Sequence, residues 1–240
     1  MKIRIEPTDL AVTLLRIVAV LLAINCLVLF VYFYYDGHSL FGLGDYFDFG
    51  IEHNIPTMYS ALAILLASAL LALIARASDK QEGYWIALSF IFLFLALDEA
   101  TAIHESIGDY FENYIEATGL IYFMWVVPYG VAVLVIGLAF LRFVLSLPKQ
   151  TRNRFILAGV IFITGAMGIE MPGAAVAEEY GTDTVLYSVL YTFEELFEML
   201  GIVLFNFALL SYLTGQHGEV VIALNVDSED ADQSTGPAPD

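Results

Sequence analysis

The chain has 240 residues, of which 59% are hydrophobic and only 15% charged, whereas soluble domains are closer to half apolar and a quarter charged. Its formal charge of −18 argues against nucleic acid and anionic lipid surfaces as partners, although an acidic proteome gives the same balance. A single cysteine, Cys26, excludes an internal disulfide and any multi-cysteine metal site.

Six apolar stretches, at about 10–35, 56–76, 83–105, 121–145, 154–172 and 184–213, are each near or above the ~20 residues a helix needs to cross the hydrocarbon core. The ~10-residue alternating segments of a membrane barrel are absent from the sequence. The expected class is therefore an all-α integral membrane protein, a bundle of six transmembrane helices over residues 1–215, with the lipid bilayer as its surroundings.

The first stretch is too long for a secretory signal and lacks a small-residue cleavage site after Tyr34-Tyr35-Asp36, so it reads as a retained helix. Asn25 within it is expected to make an interhelical hydrogen bond. His38 falls in the loop that follows. Glu52-His53-Asn54 stand at the mouth of the second stretch, where Pro56 and a capping Asn54 mark a helix N-terminus. The third stretch ends in Leu97-Asp98-Glu99-Ala100…His104-Glu105, turning acidic within one turn. The aromatic residues Phe90, Phe92, Phe94, Tyr122, Phe123 and Trp125 read as lipid-facing or interfacial packing. In the fifth stretch the glycines around Glu170 allow close helix packing, and Met171-Pro172 is expected to end the helix. The sixth carries Glu194, Glu195 and Glu198. His217 follows it and has no expected role. The sequence Glu219 to Val226 could form a short strand or a partner-binding stub. Residues 216–240 as a whole read as a short disordered acidic tail.

All nine basic residues, Lys2, Arg4, Arg16, Arg76, Lys80, Arg142, Lys149, Arg152 and Arg154, lie at the N-terminus or in or beside the second and fourth loops. The positive-inside rule then puts both termini in the cytoplasm and loops one, three and five outside a cell (inner or plasma) membrane. With this orientation, helical rise places Asp98, Glu99, Glu170 and Glu198 about 22–24 Å above the inner ends of their helices. Glu194 and Glu195 fall at about 28–30 Å, and His104 and Glu105 at a similar level. On a helical wheel Glu194, Glu195 and Glu198 share one face, and Asp98 and Glu105 nearly superimpose.

A charge near the bilayer centre costs about 2.5–3.5 kcal/mol even on the lenient insertion scale. Seven acids turned to lipid would cost on the order of 20 kcal/mol before any correction for depth, so they are expected to face the bundle interior or water. No lysine or arginine lies at their level, which leaves protons, water or a bound cation to neutralise them. Carboxylates with a histidine suit one or two divalent metal ions, zinc or iron/manganese. The expected ligands are Asp98, Glu99, His104, Glu105, Glu194 and Glu198, with Glu170 or Glu195 as general base or orienting group. The blander alternative is that Glu105, Glu194 and Glu195 are solvated at the interface, Glu170 is structural, and His104 is a hydrogen-bonding partner to a carboxylate or a wet loop residue.

No GxSxG, P-loop, GxGxxG or histidine-box pattern is present, and no intramembrane lysine could form a retinal Schiff base. The pattern Glu52-x-Asn54-x-Pro56-Thr57-x-x-Ser60, Leu97-Asp98-Glu99-Ala100…His104-Glu105 and Glu194-Glu195…Glu198-Met199-Leu200-Gly201 resembles an uncharacterised group of prokaryotic multi-pass membrane proteins, which implies no activity. The outline also resembles alkaline ceramidases and adiponectin-receptor-like hydrolases, whose bundles carry zinc. Those use three histidines, where this chain offers His53 and His104. A metal-dependent membrane enzyme, hydrolase or oxidoreductase, acting on a lipid or another substrate, is the leading expectation. The alternatives are a cation or proton transporter or channel and a membrane scaffold or assembly protein.

Overall fold

A computed structural model describes residues 2–35, 42, 44–78, 81–218 and 221–223. The first helix, α1 (Pro7–Tyr34), opens on Pro7, whose missing N–H costs nothing at a first helical position. Asn54 caps α2 (Ile55–Ala77), its side chain accepting a hydrogen bond from the Thr57 backbone N–H at 3.1 Å. An antiparallel partner, α3 (Glu82–Thr101), packs along α2. Next come α4 (Ile103–Glu112), α5 (Val126–Ser146) and α6 (Lys149–Ile163). A π-helical turn, Thr164–Ile169, joins α6 to α7 (Glu170–Tyr180). Running through the centre of the bundle, α8 (Val185–His217) touches α1, α2, α6 and α7.

Among the described residues six helices are long and apolar enough to cross a membrane: Pro7–Tyr34, Ile55–Ala77, Glu82–Thr101, Val126–Ser146, the α6–α7 rod Lys149–Tyr180, and Val185–Gln216. Two boundaries differ from the sequence expectation in ways that matter for the acids. The third helix stops at Thr101, because Ala102 takes a left-handed conformation (φ 49°) and turns the chain into α4. His104 and Glu105 therefore do not continue the wheel of Asp98. Pro172 also fails to end the fifth helix. It lies three residues past the π turn, inside the continuous α6–α7 rod, which runs on to Tyr180. The fourth helix begins at Val126 rather than near 121, after a 3₁₀ turn at Gly119–Ile121.

At one end of the bundle Lys2–Arg4 (β1) pairs antiparallel with Val221–Ala223 (β2), Ile3 opposite Ile222. Residues 224–240 of the expected tail, and His38, lie outside the described residues. Towards this end lies the main core, in which Leu71, Ile74, Leu209 and Leu210 are almost fully buried and Trp85 packs edge-on against Phe143 at 4.9 Å. Asn25 ties α1 to α8 and to the loop before α2. Its Nδ2 donates to Thr192 Oγ1 and its Oδ1 accepts from the Phe49 N–H, both at 3.0 Å.

A carboxylate-lined cavity

The opposite end of the bundle, away from the paired strands, holds a cavity of about 460 Å³ lined, among the described residues, by ten carboxyl side chains and one histidine. Five stretches of chain supply them: Glu52 before α2, Asp98 and Glu99 from α3, His104, Glu105, Asp109 and Glu112 from α4, Glu170 from α7, and Glu194, Glu195 and Glu198 from α8. No lysine or arginine among the described residues lines it. All eight residues expected as ligands or bases thus share one cavity.

Within it they form two groups. Glu52, His104 and Glu105 each offer a donor atom within 4.8 Å of the others, with His104 Nε2 4.0 Å from Glu52 Oε1. The second Glu52 oxygen, Oε2, is buried without a hydrogen-bond partner. Donors bound to one ion at about 2.1 Å lie at most about 4.2 Å apart, so the trio needs to close by under an ångström. Asp98, by contrast, is occupied with the histidine. Its Oδ1 accepts the His104 backbone N–H at 2.7 Å and faces His104 Nδ1 at 3.4 Å. The second group lies deeper. Glu99 interacts electrostatically with Glu195, Glu198, Asp98 and Glu52, and Glu170 and Glu194 are within hydrogen-bonding reach of each other.

Local backbone features explain these positions. The left-handed Ala102 lets the His104 N–H, in the first turn of α4, turn back onto Asp98. The π turn ends immediately before Glu170, and such turns recur at functional sites. Gly165 in that turn lies so close to α8 that a Cβ there would sit 2.6 Å from the Glu194 carbonyl oxygen, which sets the spacing between Glu170 and the α8 acids.

Two groups near the mouth have displaced proton affinities. Burial raises the Glu52 carboxyl above its ordinary range, against the opposing pull of His104. Burial alone would lower His104, but the Asp98 carboxylate, helped by Glu52 and Glu105, more than offsets that and raises it.

Sequence reasoning missed Asp109 and Glu112 of α4, and three further contributors. Glu52 was placed at the mouth but not among the ligands. The side chain of His53 is instead exposed, on a left-handed residue (φ 62°). Trp125 had been read as interfacial packing. In the structure its Nε1–H donates to Glu170 Oε1 at 3.1 Å and its ring meets the His104 ring edge-on at 4.9 Å. Tyr122 and Phe123 likewise line the cavity. The third is Tyr129, whose buried hydroxyl approaches Asp98 without closing a hydrogen bond. A short aromatic run gives no sign of which ring turns inward.

Fold and site together define a helical bundle, with one short two-stranded ladder, that has six membrane-length apolar helices among the described residues and a carboxylate and histidine cavity at one end. The chain belongs to the family described as Domain of unknown function (DUF8692), which matches residues 13–213. No curated protein and no solved structure matches it.

Proposed function

We propose that the chain is a metal-dependent membrane enzyme. In this reading it crosses a cell membrane six times, both termini are cytoplasmic, and the cavity opens to the exterior. Supporting the orientation are the uneven distribution of basic residues and the pairing of β1 with β2 at the end opposite the cavity. The observation that carries the functional reading is the Glu52, His104 and Glu105 trio, set among further carboxylates with no lysine or arginine beside them among the described residues.

One imidazole with carboxylates suits zinc, manganese or ferrous iron, and a three-donor site leaves room for a substrate. A divalent ion held there supplies Lewis acidity, the chemistry of hydrolysis. Asp98 fixes the imidazole so that Nε2 faces the ion, the arrangement in which a carboxylate behind a ligating histidine raises its basicity. Glu170, held by Trp125, can accept a proton and pass it to Glu194. The deeper carboxylates could hold a second ion, as in helical bundles with two metals, which favours oxidation as the second reading.

Transport is less well supported. Beneath the cavity the bundle is closed by the apolar core around Leu71, Ile74, Phe205 and Leu209, and no acidic relay continues through it among the described residues. Elemental analysis of protein purified without added metal tests the enzyme reading. Near one equivalent of a transition metal, lost in Glu52→Gln and Glu105→Gln, is expected. Metal far below one equivalent, with no thermal shift on adding zinc, iron or manganese, overturns it.

A further inference from the structure

The acid cavity is not the only space in the bundle. Between α3, α5 and α6 lies an apolar groove of about 780 Å³, lined by residues such as Phe90, Phe94, Ile136, Ile156 and Phe162. The two spaces share a wall of Ile64, Leu95, Trp125, Tyr129, Phe162 and Ala166. Along α5 the groove extends from Pro128 to Val144, about 24 Å at helical rise, which exceeds the ~15 Å of one leaflet. At the end nearer the paired strands, α3 and α5 close together where Tyr84 stacks on Phe143 at 5.0 Å. Phe90 and Phe94, both well exposed, stand along its α3 side, so the groove opens sideways, where a bilayer would lie.

We infer that this groove seats the hydrocarbon chain of a membrane lipid whose polar head enters the acid cavity through the Trp125 and Tyr129 wall. The inference deepens the enzyme reading above and rests on it for the role of the head group. Ten carboxyl groups, with no lysine or arginine lining the cavity among the described residues, repel a phosphate or carboxylate head, so the lipid carries no anionic head. A single-chain acyl ester or amide fits both spaces: the chain lies against α5 and the carbonyl reaches the Glu52, His104 and Glu105 trio.

Two glycines make the groove testable without touching the acids. Gly137 and Gly159 both line it, and a Cβ at either position would meet nothing within 4 Å. Leucine at these positions fills the groove and favours the helix. Trp125 is one of two tryptophans in the chain and stands on the shared wall, so its fluorescence reports a bound chain. Full-length protein in detergent is titrated with a monoacylglycerol brominated at mid-chain, in the wild type and in Trp85→Phe. The expected result is saturable quenching that weakens roughly tenfold or more in Gly137→Leu/Gly159→Leu, while metal content stays at the wild-type level. Mass-spectrometric counting of co-purified acyl lipid on the same variants gives a second readout that does not depend on the Trp85 substitution. Quenching or lipid content unchanged by the leucines, or a change of oligomeric state in their place, overturns the assignment. Groove-dependent quenching in a protein that binds no metal leaves the acyl site standing and removes only the metal reading.

Discussion

Asp98 Oδ1 receives the backbone N–H of His104 at 2.7 Å and lies 3.4 Å from the Nδ1 of the same residue, so one carboxylate caps α4 and orients the histidine that α4 carries. The two tasks can be separated. Asp98→Asn keeps an oxygen for the backbone N–H but loses the charge behind the imidazole, whereas Asp98→Ala loses both. Asp98→Ala is expected to lower thermal stability by about 1 kcal/mol, as for other lost caps, and Asp98→Asn by much less. Both should weaken metal binding by roughly 10–100-fold. Thermal unfolding and a competitive metal titration on the same preparations check the two effects. Equal loss of stability in both variants would mean that the cap is not the operative contact.

The contrast between Glu52 and His53 gives a second expectation. Adjacent in sequence, they diverge because the left-handed backbone at His53 sends its side chain outward while Glu52 lines the cavity. Glu52→Gln should reduce metal content sharply, and His53→Ala should leave it unchanged. Metal analysis of the two purified variants decides this, and dependence on His53 would contradict the trio as drawn.

Much of this site was legible in the sequence, for a physical reason. Charge is so costly in a membrane-length apolar helix that Asp98, Glu99, Glu170, Glu194, Glu195 and Glu198 had to find a shared polar space, and helical rise alone put them at comparable depth. What could not be read depends on backbone events with no compositional signature. The left-handed Ala102 broke the wheel on which His104 and Glu105 had been placed. The π turn carried the fifth helix past Pro172, where a proline rule predicted a stop. The inward turn of Trp125, and of Glu52 over His53, is set by tertiary packing that periodicity does not encode.

Helix spacing at the cavity supplies a third prediction. A methyl group at Gly165 would meet the Glu194 carbonyl oxygen at 2.6 Å, and one at Gly201 would meet the Phe162 backbone nitrogen at 2.8 Å. Both obstacles are backbone atoms, so neither can rotate away, and α8 must shift. Gly165→Ala and Gly201→Ala are each expected to destabilise the protein by about 1–3 kcal/mol. Gly137→Ala, with open space at its Cβ, should be neutral or slightly stabilising. Thermal unfolding of the three variants ranks them, and an unaffected Gly165→Ala would show that the α6–α8 approach is looser than described.

Crowding of like charge should also make the acid cavity a source of instability when no cation balances it. Glu195 neighbours Glu198, Glu52 and Glu170 electrostatically. A like-charge pair about 5 Å apart costs on the order of 3 kcal/mol at an effective dielectric constant of 20. At a pH high enough to ionise the cluster, removing one charge with the isosteric Glu195→Gln is therefore expected to raise the melting temperature of the metal-stripped protein, by about 2–4 °C for each kcal/mol relieved in a chain of this size. With metal present the gain should shrink, because a cation already offsets the repulsion. Calorimetry of the wild type and Glu195→Gln, each with chelator and with added metal, yields the four melting temperatures required. A gain of the same size in both conditions would mean that no cation reaches the cavity.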